Sequence, residues 1–242
     1  MDEQMKDIRE KASILADALP YFRDFNQKII VIGYLCSNFL NGEEEQRVMQ
    51  DIALLKSVGM KPVIVHDSRM GADKFRENKR IAKLVELCGI KAVGICGIDA
   101  QTLNMTLENN YIPVVTPNDI DTEMLSIHPA DTAREIAVLL QAEKLIYISR
   151  HEGVTWEENR NKILSMTESE QKTYMGAQQL EADLKKLLDN AILALDGGVQ
   201  RAHLLGGRIQ HALLLELFSI LGVGTVIMRD DRKLYDHEKG RY

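Results

Sequence analysis

Ile29-Ile-Val-Ile-Gly-Tyr34 is six residues without a charge, and its first four are all β-branched. A strand with one face in water alternates apolar and polar side chains. Near-continuous apolar character is what a parallel strand covered on both faces requires. Four more runs of this kind follow: Pro62-Val-Ile-Val-His66, Lys91-Ala-Val-Gly-Ile-Cys96, Tyr111-Ile-Pro-Val-Val-Thr116 and Lys144-Leu-Ile-Tyr-Ile-Ser149. All five read as buried strands. Between them apolar residues recur at helical spacing. Val48, Ile52 and Leu55 share one face, Ile81, Leu84, Val85 and Cys88 another, and Ala133, Ile136, Ala137 and Leu140 a third. Strand–helix–strand repetition predicts right-handed crossovers and a parallel sheet between helices.

The pattern resumes near the C-terminus with Arg201-Ala-His-Leu-Leu205, a helical stretch over 210–221 and Gly222-Val-Gly-Thr-Val-Ile227. The predicted fold class is α/β, an αβα sandwich with a mainly parallel central sheet. Ahead of the first strand, Met5, Ile8, Ala12, Leu15 and Leu19 fall at spacings of three and four. This predicts an amphipathic helix over residues 3–19, stopped by Pro20. It either packs on its own domain or serves as an oligomerisation arm exchanged with a neighbour. No repeat or low-complexity linker divides the chain. The polar stretch 150–176 reads as a lid or as a soft boundary, giving an N-terminal helix (1–20), a first lobe (21–149) and a second lobe (150–242).

The 242 residues carry 30 Lys and Arg against 36 Asp and Glu, a formal net charge of −6. This mild acidity argues against nucleic acid or an anionic membrane surface as the main partner. Cys36, Cys88 and Cys96 are an odd number without a CxxC pair, so neither a disulfide framework nor a zinc knuckle is expected. That suits a reducing cytoplasm. The first residues are charged without an apolar signal core, and no run approaches the ~18–20 apolar residues of a membrane span. Secreted, membrane-embedded, collagen-like and disordered classes are excluded, and a cytoplasmic protein is expected.

Parallel sheets bind ligands beyond the C-terminal ends of their strands. There the sequence reads Gly33-Tyr-Leu-Cys-Ser-Asn38, His66-Asp-Ser-Arg-Met-Gly71 and Arg150-His-Glu-Gly-Val154. None is a glycine-rich phosphate loop, and the histidines show no metal-ligand spacing. His66 is either a hydrogen-bonded structural imidazole or a base or ligand. Asp131 is either an N-cap or a catalytic or lysine-orienting carboxylate. Cys36 is either a small buried side chain or a reactive thiol.

Three stretches together go further. Ala18-Leu-Pro-Tyr-Phe-Arg-Asp-Phe25, Lys91-Ala-Val-Gly-Ile-Cys-Gly-Ile-Asp99, and Asp196-Gly-Gly-Val199 with His203-Leu-Leu-Gly-Gly-Arg-Ile-Gln-His-Ala-Leu-Leu-Leu-Glu-Leu-Phe-Ser219 and Gly222-Val-Gly-Thr225 closely resemble the N-acetyl-L-glutamate kinases of the amino acid kinase family. The resemblance runs from about residue 15 to 228. It implies an eight-stranded, mainly parallel sheet, an N-lobe for acetylglutamate, a C-lobe for ATP, and formation of an acyl phosphate in arginine synthesis. That reaction needs positive charge and backbone N–H groups around the transferring phosphoryl group.

Laid on the family pattern, the first catalytic lysine's place is Gly33, and the glycines after it are Leu35 and Cys36. His66 stays, but the glycine turn beyond it is Asp67-Ser-Arg69. The substrate-gripping asparagines fall on Ile127 and Pro129, so Asp131 is the catalytic position retained. The nucleotide-lobe Thr-Asp pair reads Ser149-Arg150, and the second lysine falls on Leu187 or Gln179, with Lys185 and Lys186 nearby. Losing one preorganised donor costs about 10²–10³ in rate, so several losses together predict a pseudokinase that needs no cofactor.

In arginine-sensitive relatives the N-terminal helix interlaces dimers into a hexamer, and arginine binds between that helix and the C-lobe block. Tyr21, His211, Glu216, Gly222 and Gly224 match that pattern and are the expected arginine-binding set; the alternative is that the helix bearing Glu216 is simply core. The leading expectation is a homo-oligomer, dimer or hexamer, that senses arginine and assembles with itself or with a paralogous complete kinase. One alternative is an active kinase holding ATP and Mg with displaced groups: His66, Arg69, Arg150, Lys185 and Lys186. Another is a binder of a different small metabolite.

Overall fold

The computed structural model describes residues 5, 16–117, 128–156, 161–219, 222–231 and 235. Five strands at the predicted positions, β1 (Ile29–Tyr34), β2 (Lys61–His66), β3 (Ala92–Cys96), β4 (Ile112–Thr116) and β5 (Lys144–Ser149), pair in parallel. They alternate with helices α1 (Gly42–Ser57), α2 (Lys74–Leu87), α3 (Ala100–Glu108) and α4 (Pro129–Leu139). The polar region beyond Ser149 supplies β6 (Val154–Thr155), β7 (Lys162–Ile163), β8 (Ser165–Thr167) and α5 (Glu168–Ala177). Then come α6 (Ala182–Asp196), β9 (Arg201–Gly206), α7 (Ala212–Phe218) and β10 (Thr225–Met228). The central sheet has eight strands in the order β3-β4-β2-β1-β5-β9-β10-β8, antiparallel only between β9 and β10. β6 and β7 form a separate hairpin.

Each face of the sheet has its own core, because side chains alternate along a strand. Ile30, Ile32, Tyr34, Ile146 and Leu205 pack with α1, α2, α7 and Tyr21 and Phe25 of a helical segment over residues 16–25. Val31, Leu145, Tyr147, Ala202 and Leu204 pack with α3, α4 and α6 on the other face. Helix starts are capped from the sequence. Asn41 accepts from the amides of Glu43 and Glu44 while Glu44 returns the bond to the Asn41 amide, and Asp73 and Asp99 cap α2 and α3.

Several expectations need correction. Helical backbone continues through Pro20 to Phe25, because Tyr21 and Phe25, one turn apart and 4% and 2% exposed, bury against the sheet and offset the bond that proline removes. Leu19 is exposed, as is Met5; Ile8, Ala12 and Leu15 lie outside the described residues. β3 is not buried: as the sheet's edge it exposes Val93, Gly94 and Cys96. Its apolar composition matches that of a central strand, so composition could not separate the two. α7 is shorter than 210–221, since His211 precedes it in left-handed backbone (φ 56°) and Ser219 caps it in extended backbone.

Candidate functional site

β5 joins two polar centres. Its C-terminal end, with those of β1 and β2, opens onto a cleft of about 230 Å³ lined by Leu35, Asn38, Asp67, Ser149, Arg150 and Leu187, among others. Here the turns after β1 and β2 are stapled to each other. The Ser37 amide donates to the Asp67 carboxylate at 3.0 Å and its hydroxyl to the Asp67 carbonyl at 3.2 Å. Asn38 donates to the Ser68 carbonyl and accepts from the Met70 amide. Burial pushes the Asp67 carboxyl above its ordinary range, a shift that bonds from Ser37 oppose. At Gly33, an added Cβ would lie 2.7 Å from the Tyr147 ring, so the space for a longer side chain is taken.

His66 is fully buried, its Nδ1 2.6 Å from the Asp67 carbonyl and its Nε2 3.2 Å from the Asn78 amide nitrogen. Burial lowers its pKa, so the neutral ring donates through Nδ1 and accepts through Nε2. It is a structural imidazole. Cys36 is likewise buried, its thiol on the Ile148 carbonyl, and burial pushes its pKa well up.

The displaced cations do not converge. Arg69 pairs with Glu45 (3.1 Å) and Glu77 (3.6 Å), Arg150 with Glu181 (2.7 Å) and Asp183 (3.0 Å), Lys185 with Asp189 (2.7 Å) and Lys186 with Asp131 (2.7 Å). Of the four, Arg150 lines the cleft and the other three do not. Asp131 does not cap α4; His128 does, accepting from the Ala130 amide. Asp131 sits in the first turn instead and holds Lys186 and Asn190. Burial raises the Asp131 pKa, but the bonds from Lys186 and Asn190 outweigh it and leave the carboxyl below its usual range. Between α1 and α2, Arg80 forks onto Glu45 (2.6 and 2.7 Å) and Glu77 (2.7 and 3.0 Å), and the Tyr34 hydroxyl donates to Glu45. With Arg69 on the same two carboxylates, two cations match the two buried glutamates. Ile127 lies outside the described residues.

The N-terminal end of β5 is the second centre. Lys144 and Arg201, opposite each other in the β5–β9 register, are 2% and 7% exposed. The Lys144 ammonium stands 4.7 Å from the Phe25 ring centre and 4.8 Å from that of Tyr235; the Arg201 guanidinium stacks on Tyr235 at 4.0 Å. Lys144 Nζ is 3.3 Å from His203 Nε2, and His203 Nδ1 is 2.8 Å from Glu216 Oε1. The other Glu216 oxygen accepts from the amides of Val223 (2.9 Å) and Gly224 (3.0 Å). Burial and the nearby Lys144 charge hold His203 down to about 4, so its ring is neutral at pH 7. Burial opposes ionisation of Glu216, yet the His203 bond and two amides bring it to about 2. Protons therefore run one way: the ammonium donates to Nε2, and Nδ1–H donates to the carboxylate.

The structure brings Glu216, Gly222 and Gly224 of the expected arginine set together. Gly222 adopts φ +62° against the carboxylate, and a Cβ on Gly224 would collide with the Leu204 carbonyl. Tyr21 packs nearby on the Phe218 ring. His211 points elsewhere, bonding the buried Asp51 at 2.8 Å and so tying α7 to α1. Sequence reasoning missed Lys144, Arg201, His203 and Tyr235. The available signal is a basic residue opening each of two apolar strands, Lys144 and Arg201, with His203 two positions into the second.

Comparison with known proteins places these features. The amino acid kinase family matches residues 78–206. The acetylglutamate kinase of Campylobacter jejuni subsp. jejuni serotype O:6 is 32% identical over 279 aligned positions, covering 92% of this chain and all of that protein. The acetylglutamate kinase of Caldicellulosiruptor bescii is 30% identical, covering 94% and 99%. The 279 positions exceed the 242 residues here, so the Campylobacter protein carries segments this chain lacks. Among solved structures, N-acetylglutamate synthase from Neisseria gonorrhoeae, complexed with coenzyme A and N-acetyl-glutamate, superposes with a TM-score of 0.77 at 20% identity over 90% of this chain. This chain spans 63% of that synthase's length, and the likeness is one of fold.

Proposed function

Because the chain belongs to the amino acid kinase family, its relatives being acetylglutamate kinases, we propose that it is a member that no longer transfers phosphoryl groups and acts as an oligomeric, arginine-responsive regulator. The bond between the Ser37 amide and the Asp67 carboxylate carries the first half of this reading. A carboxylate takes the N–H group that a phosphate cradle would offer, and repels a triphosphate besides. The residues present do not fit a magnesium nucleotide: Gly33 leaves no room for a lysine, and each displaced cation is already matched by a carboxylate.

The second half rests on the centre at the other end of β5. Lys144 and Arg201 suit an α-carboxylate, the rings of Phe25 and Tyr235 suit a planar guanidinium, and Glu216 supplies the countercharge. Self-association is supported by the edge of β3, where Val93, Ile98 and Met105 lie open beside strand backbone that is unpaired among the described residues. A complete kinase of the same family is an alternative partner for that edge.

The test is acetylglutamate-dependent release of ADP, with the melting temperature followed against arginine. No turnover above background is expected, and millimolar arginine should raise Tm through ligand linkage. Turnover at ordinary kinase rates would refute the first half. A melting temperature indifferent to arginine would refute the second.

A further inference from the structure

We infer that the cleft beyond β1, β2 and β5 is a binding site for a small primary amine, whose ammonium group seats on Asp67. The inference rests on the proposed loss of phosphoryl transfer in one respect: the cleft is then not a nucleotide site. Its chemistry has three parts. Asp67 lines the cavity as a carboxylate without an ion-pair partner among the described residues, in contrast to Glu45, Asp131, Asp183 and Glu181, each held by a cation. Ser37 occupies one oxygen and fixes its orientation. An anchored, desolvated carboxylate facing a cavity binds an ammonium better than it tolerates an anion.

His151 lines the same cavity, and its Nε2 is buried without a hydrogen-bond partner among the described residues. Burial and then the Arg150 charge lower its pKa, so the ring is neutral and offers the ligand a polar side chain that adds no charge. Leu35, Pro129 and Leu187 add apolar lining to the same cavity. A few methylene groups carrying an ammonium and an amine, hydroxyl or carboxyl match a lining of this composition. Arg150 adds little net charge, being matched by Glu181 and Asp183.

The experiment titrates the full chain and its Asp67→Asn variant by calorimetry with 1,4-diaminobutane and with ornithine, using 1,4-butanediol as the uncharged control. Asparagine keeps the acceptor for Ser37 and removes only the charge, so the variant should melt close to the wild type. A Kd below about 1 mM for at least one amine, weakened tenfold or more in D67N, with no heat from the diol, is the expected result. Affinity should also fall as pH is lowered, because a protonated Asp67 loses its attraction. Equal affinity in both proteins, or no binding by either amine at 20 mM (about twentyfold above the stated Kd), overturns the inference and leaves the proposed function untouched. Arginine at the Lys144 centre is a separate signal, since D67N leaves that end of the strand intact. Saturable MgATP binding with turnover would overturn both.

Discussion

At its first residue β5 holds Lys144, 2% exposed, between two aromatic rings and bonded through His203 to Glu216. At its last residue the same strand delivers Ser149 and then Arg150, whose half-exposed guanidinium pairs with two carboxylates at the start of α6. One end is a buried network in which Lys144, His203 and Glu216 bond one another in series. The other is a wet cleft whose ion pairs are open to solvent. The energetics differ accordingly. Exposed pairs contribute about 0–1 kcal/mol each, whereas removing one partner of a buried pair costs about 3–5 kcal/mol. The turns at the cleft are thus free to change without unfolding the sheet, and the Lys144 network is not.

Breaking the network is the severest test of that contrast. Glu216→Ala leaves His203 and the amides of Val223 and Gly224 without their acceptor, and should cost about 3–5 kcal/mol, lowering Tm by roughly 10 °C. A loss under about 1 kcal/mol would mean that the two ends are energetically alike.

Acid should reveal the same asymmetry. The folded state holds His203 down to about 4 against an ordinary 6.5, so the unfolded chain binds the extra proton in that interval. Stability is then full above pH 6.5 and declines toward pH 4, by about 3 kcal/mol at most. Glu216, depressed to about 2 from 4.5, extends the loss below pH 4.5. In His203→Gln the slope of denaturant midpoint against pH between 6.5 and 4 should flatten; an unchanged slope would assign the titration elsewhere.

At the cleft, Asp67→Ala strands the Ser37 amide and should cost about 1–2 kcal/mol, with Asp67→Asn costing less because its carbonyl replaces the acceptor. Smallest of all, Lys185→Ala removes an exposed pair spaced i,i+4 on α6 and should shift stability by no more than about 0.5 kcal/mol. A larger shift would place Lys185 in a network that its exposure does not suggest.

Much of this architecture is written in the strands. Runs such as Ile29–Tyr34 are legible because burial on both faces demands unbroken apolar character. β6, β7 and β8 are not, being two or three residues each with a single apolar side chain, and their pairing depends on β10 and on one another. The loss of glycines at Leu35, Cys36 and Asp67 was visible, but the staple between the turns was not, since a carboxylate's partner cannot be read from spacing. Lys144, His203 and Glu216 lie 59 and 13 residues apart. The β5–β9 register brings Lys144 to His203, and the packing of α7 on β9 brings Glu216 to His203.

The most direct test of the account is calorimetric titration of the intact protein with magnesium ATP, in the presence and absence of N-acetylglutamate. With the Ser37 amide bonded to Asp67 and the nearby cations matched, no saturable heat is predicted at millimolar nucleotide. Saturable one-to-one binding that tightens with acetylglutamate would contradict it.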